Sequence, residues 1–355
     1  MTQLTRPFQA ASASAAARFA RLPPPARGRG AKAALAVVLL LLVIWFGISG
    51  NITWVYEADA ALLAAIGALG LNLLTGNVGQ ISIGNAAFLA IGAYAVVICG
   101  QMPFPVSIVI GTLACGVAGF LIGLPSLRLR GLYLVFSTLA FQYVVNFLCE
   151  QYDSSHGAGA GHYVPSPTIF GMQLSSTRSW YMVLLIVVAI VMIIVRNLVR
   201  GRPGRAWSAI RTNELAAAVM GVNVTRAKLA GFVASSMIVG FAGALSTYFL
   251  QTVSADYFSL DLAVTYIAMI LIGGLGSIWG SVIGAFIVTL IPYWLSNIGG
   301  GGSSTTWQTD LPFVQQIVYG LAILLFLYAR PGGVASLVRP RRQSAAREHV
   351  LEEAP

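Results

Sequence analysis

From Ala33 to Leu127 the chain carries not one Lys or Arg, and its only acids there are Glu57 and Asp59. A stretch that long without basic side chains cannot cover a water-facing surface. Its apolar residues come in long uncharged runs, the pattern of membrane spans. Over all 355 residues, 57% are apolar and 9% are charged, whereas a soluble globular domain is about a quarter charged. The expected fold is all-α: a polytopic bundle of transmembrane helices.

The apolar runs fall near 33–50, 58–75, 86–100, 104–124, 132–149, 180–197, 229–250, 260–273, 277–297 and 313–329. That gives about ten spans. Runs 86–100 and 260–273 are the weakest, and eight crossings result if both are re-entrant. Broken helices of this kind are tolerated where they face protein or a polar cavity. The net charge of +10 is distributed against nucleic-acid binding. Six basic residues lie in 1–32, two in 125–131, seven in 196–228 and five in 330–347, with the apolar runs between. Lys and Arg stay on the cytoplasmic side of a membrane. Starting inside and flipping at each run puts all four blocks inside, so both ends are expected in the cytoplasm. The expected organisation is a disordered basic tail over 1–32, a membrane domain over 33–329 with a cytoplasmic loop over 198–228, and a second tail over 330–355.

Several chemistries are excluded. There is no G-x-x-x-x-G-K-[ST], so the chain cannot cradle nucleotide phosphates. No GxSxG, HExxH or paired-Cys site is present. Cys99, Cys115 and Cys149 fall in apolar runs and read as small buried hydrophobes. His156 and His162 lie in an expected outer loop, and a solvated loop is the favoured reading over a metal site. The spans lack the carboxylates and bases of proton relays, and Asp261 is the clearest acid near a span. No catalytic residue, metal site or cofactor is expected, and a self-powered transporter or a membrane enzyme has little to work with.

Three stretches remain. Residues 70–88, GLNLLTGNVGQISIGNAAF, set Asn72, Thr75, Asn77, Gln80, Ser82 and Asn85 between two apolar runs. An unsatisfied buried polar group costs several kcal/mol in hydrocarbon. For each residue alone, capping of a turn is the plainer reading; together they read as a path lining or gate. Residues 272–285, IGGLGSIWGSVIGA, form a second glycine-rich junction. Residues 204–223 predict a short amphipathic helix from Ser208 to Met220 that stops at Gly221. Thr212 or Asn213 would cap a shorter one. Such a helix is either a grip for another protein or an interfacial helix held by Trp207.

These stretches, with LRLRGLYLVFSTLAF (127–141) and AGALS (242–246), resemble the permease subunits of bacterial branched-chain amino acid ABC importers of the LivM type, over roughly residues 57–335. The resemblance implies a heteromeric assembly in the bacterial inner membrane: a second homologous permease, two cytoplasmic ATPase subunits, a periplasmic substrate-binding protein, surrounding membrane lipid, and no nucleic acid. It also implies that Arg211, Glu214, Ala217 and Gly221 form a coupling loop that docks on the ATPase. Here Glu214 is followed by Leu215, which displaces the usual Ala pair, and Gly221 comes one position late. Permeases of urea and short-chain amide importers are similar, and the sequence does not separate these cargoes.

Overall fold

The fold is that of a computed structural model. It describes residues 51–298 except 101, 127–130, 158–160, 170, 171 and 175, together with 47, 50, 313, 314, 316–321, 324, 333 and 334. The expected tail 1–32, nearly all of run 33–50, the loop with Arg128 and Arg130, the Gly299–Gly302 loop, much of run 313–329 and nearly all of the tail 330–355 lie outside the described residues. All but Gly47 and Gly50 belong to one compact unit, Asn51–Pro355.

That unit is built from α-helices: α1 Ile52–Asn72, α2 Asn85–Cys99, α3 Phe104–Ser126, α4 Leu132–Ser155, α5 Thr177–Arg200, α6 Arg202–Thr212, α7 Glu214–Val219, α8 Val224–Leu250, α9 Leu260–Gly273 and α10 Ile278–Ile298. Helices dominate because each one satisfies its own backbone groups where no water can. Two short antiparallel pairs complete it. β1 (His162–Tyr163) pairs with β4 (Thr252–Val253), and β2 (Thr168–Ile169) pairs with β3 (Met172–Gln173).

Among the described residues six helical segments are long and apolar enough to cross a membrane: Ile52–Val78, Phe104–Pro125, Leu132–Ser155, Thr177–Arg200, Val224–Leu250 and Ile278–Leu295. Helices α2 and α9 have 15 and 14 residues, roughly 22 Å at 1.5 Å per residue, short of the ~30 Å hydrocarbon core. They are the two runs that the sequence marks as weakest. The described residues therefore form an all-α polytopic membrane fold with six helices of spanning length.

The segment Ile52–Val78 is the hub, with 83% of its most apolar window buried against 22–56% for the other five. It packs on α5, α8, α9 and α10, while α8 also packs on α2 and α3. Small residues permit this. A methyl group added at Gly92 of α2 would collide with the backbone of Gly240 in α8, and one at Gly280 of α10 would collide with the backbone of Gly273 in α9. Close backbone approach replaces the hydrophobic drive that lipid cannot supply.

The expected single helix Ser208–Met220 is corrected to two. Asn213 is extended (φ −158°, ψ 113°), and its side chain accepts from Ala216 N–H at 3.1 Å. An Asn that caps the next helix competes with continuation of the previous one. The stop at Gly221 is present: it has φ 84°, and Val222 N–H donates to Ala217 C=O, a left-handed C-terminal closure.

Candidate functional site

The three stretches singled out in the sequence meet at one end of α1. There the helix widens into a π-turn, Leu73–Val78, which Gly79 closes with φ 83°. Asn72, on the last α-helical position, is 2% exposed. Its amide reads both edges of the α9–α10 turn: Nδ2 donates to Ser277 C=O (3.1 Å), and Oδ1 accepts from Gly276 N–H (2.8 Å). Asn77 Nδ2 donates back to Asn72 C=O at 3.3 Å. From α6, Arg211 Nη1 donates to Gly76 C=O inside the π-turn. The Arg211 stem lies over Gly79, where a methyl group would stand 3.3 Å from its Cγ. Gly76 leaves room for this convergence, since a methyl there would strike Asn72 Oδ1 and the Gly276 backbone.

Helix α6 is held to the bundle by Trp207. Its indole is 1% exposed and its Nε1 donates to Ala227 C=O in α8 at 2.8 Å. That corrects the reading of Trp207 as a membrane-surface anchor. In α7, Glu214 Oε1 lies 2.9 Å from Lys228 Nζ of α8, Ala217 is buried, and Gly221 stands in open space. Leu215, Val219 and Met220 are 74%, 88% and 84% exposed, forming an apolar ridge on a six-residue helix between two membrane spans.

Of the other flagged polar residues, Thr75 sits in the π-turn and Gln80, Ser82 and Asn85 follow it. Gln80, Ser82 and Asn85 are buried, Ser82 Oγ accepts from Gly84 N–H at 3.3 Å, and Asn85 opens α2. Thr75 Oγ1, Gln80 Oε1 and Asn85 Nδ2 are buried without a hydrogen-bond partner. Two unflagged residues of α4 hold this loop and the start of α2. Thr138 Oγ1 accepts from Ile83 N–H (3.1 Å). Gln142 Oε1 accepts from Ala87 N–H (2.5 Å), while its Nε2 donates to Phe258 C=O (2.8 Å). Gln142 was legible only as a lone amide in an apolar run.

A second polar centre lies at the far end of α8. Both Asp153 oxygens accept from the Tyr94 hydroxyl at 2.8 Å, and Oδ2 accepts from Ala255 N–H at 3.0 Å. His162 Nε2 is 3.1 Å from Asp153 Oδ1, an ion-pair distance without hydrogen-bond alignment. His162 is thus packed on Asp153, which corrects the solvated-loop reading for that residue, while His156 is exposed. Among the described residues no group of three His, Cys, Asp or Glu is placed to hold a metal. Helix α1 also holds a fully buried carboxylate that the sequence did not mark as interior. Asp59 of α1 is 0% exposed, with neither oxygen hydrogen-bonded, while Asp261 is exposed.

The arrangement links the basic segment around α6 to the irregular end of the central span by hydrogen bonds. A family model described as "Branched-chain amino acid transport system / permease component" matches residues 58–327. The chain is 29% identical to the high-affinity branched-chain amino acid transport system permease protein LivM of Salmonella typhimurium, covering 80% of this chain and 70% of the relative, and to LivM of Escherichia coli over the same shares. It is 26% identical to a probable branched-chain amino acid transport permease protein LivH of Methanocaldococcus jannaschii, over 70% of this chain and 82% of the relative. No solved structure matches significantly.

Proposed function

Because the chain belongs to the family of branched-chain amino acid transport system permease components, we propose that it is one of two related permease subunits of an ATP-driven importer in a bacterial inner membrane. Two cytoplasmic ATPase subunits power it, and a periplasmic binding protein delivers branched-chain amino acids. The likeness to both LivM and LivH proteins fits such a pairing. Both termini lie in the cytoplasm, and the chain crosses about ten times.

The observation that carries the mechanism is the Arg211–Gly76 hydrogen bond. It joins the cytoplasmic segment to the π-turn, and single π-turns inside helices are frequent at functional sites. The exposed ridge of Leu215, Val219 and Met220 docks on an ATPase subunit. Closure of the ATPase dimer displaces α7 and, through Trp207 and Arg211, shifts α8 and the π-turn together. The turn in turn moves the α9–α10 junction through Asn72. Asn72, Thr75, Asn77, Gln80, Ser82 and Asn85 form the gate. Unpartnered amides and hydroxyls suit a zwitterionic cargo, which needs dipoles more than full charges.

The test is the Arg211→Ala/Glu214→Ala double variant, assembled with its partners in proteoliposomes. Uptake is lost while membrane insertion is retained. If binding protein loaded with leucine still stimulates ATP hydrolysis as in the wild type, the coupling assignment fails. The cargo is tested separately, by measuring leucine, isoleucine, valine and urea binding to the periplasmic partner.

A further inference from the structure

Helices α5 and α10 touch at few points. Towards the C-terminal end of α5 they part into a groove of about 740 Å³. Its two ends differ in chemistry. Met192, Ile193 and Ile283 line the apolar end, and Arg196 and Arg200 line the other. The arginines are one helical turn apart and exposed, and neither forms an ion pair with a described carboxylate. Trp279, in the first turn of α10, borders the groove and is 71% exposed. Both helices are candidate membrane spans, and the described residues that line the groove come from these two helices and the turn before α10.

We propose that this groove binds an anionic glycerophospholipid, with its phosphate on Arg196 and Arg200 and an acyl chain along Met192, Ile193 and Ile283. Guanidinium groups match phosphate oxygens with paired N–H donors. Trp prefers the headgroup level, where one edge of its ring is wet. Basic pockets between membrane helices collect acidic headgroups. The occupant follows from the two ends taken together. A soluble anion would satisfy the arginines and leave the apolar walls uncovered. A hydrocarbon chain alone would leave two unpaired charges at the membrane edge. A two-part amphiphile with a negative head covers both.

The test uses the full transporter in nanodiscs of phosphatidylcholine alone or mixed with phosphatidylglycerol. Native mass spectrometry counts retained phosphatidylglycerol, and thermal unfolding is followed in parallel. Wild type retains the acidic lipid and unfolds at a higher temperature in its presence. The Arg196→Gln/Arg200→Gln variant retains roughly tenfold less or lower still, as two charges near a headgroup imply, and loses the thermal shift. Its unfolding temperature in phosphatidylcholine alone is unchanged. Ile193→Trp, which fills the apolar end with both charges in place, shows the same loss and decides the matter if the double variant does not assemble. Equal retention in wild type and in these variants overturns the proposal. So does a crosslink from Trp279→Cys to a partner subunit, if wild type retains no phosphatidylglycerol.

Discussion

The two polar centres at opposite ends of α8 are built differently. At the Arg211 end, side chains bond almost wholly to backbone: Asn72 to Gly276 and Ser277, Arg211 to Gly76, and Trp207 to Ala227. Three polar atoms nearby, on Thr75, Gln80 and Asn85, have no partner. At the Asp153 end, one carboxylate gathers Tyr94 of α2, His162 of β1 and the Ala255 amide, and so ties three chain segments to α4. The first centre has spare hydrogen-bonding capacity and irregular backbone. The second concentrates its bonds on one group in a tight cluster. An end with unused donors and acceptors can exchange partners at modest cost, whereas a carboxylate that loses its donors inside a protein is strongly penalised. In the proposed mechanism, movement belongs to the Arg211 end and the Asp153 end is the fixed point.

Substitutions can break this contrast. The largest effect is expected for Arg211→Ala. Loss of a charged hydrogen bond of about 1.5–3 kcal/mol should lower uptake roughly ten- to a hundredfold in proteoliposomes. The unfolding midpoint should fall as well, since the same bond ties α6 to the π-turn. Gly76→Val comes next. Its side chain would force apart Asn72 and Gly276, and overpacking of this kind removes about 1–3 kcal/mol of stability, read by thermal unfolding in detergent. Asp153→Asn should lower stability by about 1–2 kcal/mol and leave the affinity for cargo unchanged. If it abolishes uptake at full stability, the Asp153 end is not a fixed point. Asp59→Leu should have the smallest effect and the opposite sign. Replacing a buried unpartnered polar group by an apolar one raises the unfolding midpoint, by about 1 kcal/mol. A fall in stability would reveal a partner for Asp59 in the assembled transporter.

The membrane class and the site were legible for different reasons. Uncharged runs reveal spans because hydrocarbon excludes charge, and α3, α4, α5, α8 and α10 follow the runs closely. The junction was legible because glycines are dense in 70–88 and 272–285 and amides in 70–88. What the sequence could not show was their convergence. Asn72 and Gly276 are 204 positions apart, and neither carries a mark of the other. Gln142 was missed as an interior tether because one amide in an apolar run has many uses, and Trp207 because an indole beside basic residues also suits a membrane surface. The break at Asn213 was open beforehand, since cap and continuation compete within a fraction of a kcal/mol to about 2 kcal/mol. Asp59 escaped because an acid at the start of a run reads as a helix end rather than an interior charge.

The π-turn at Leu73–Val78 has one more consequence. A turn of this kind holds a surplus residue compared with an ordinary helical turn. Absorbing that residue into regular α-helix would rotate everything beyond it by about 100° and draw it along the axis by about 1.5 Å. Arg211 and Asn77 both bond into that six-residue segment or across it. The central span thus carries slack of one peptide unit, stored where α6 takes hold of it.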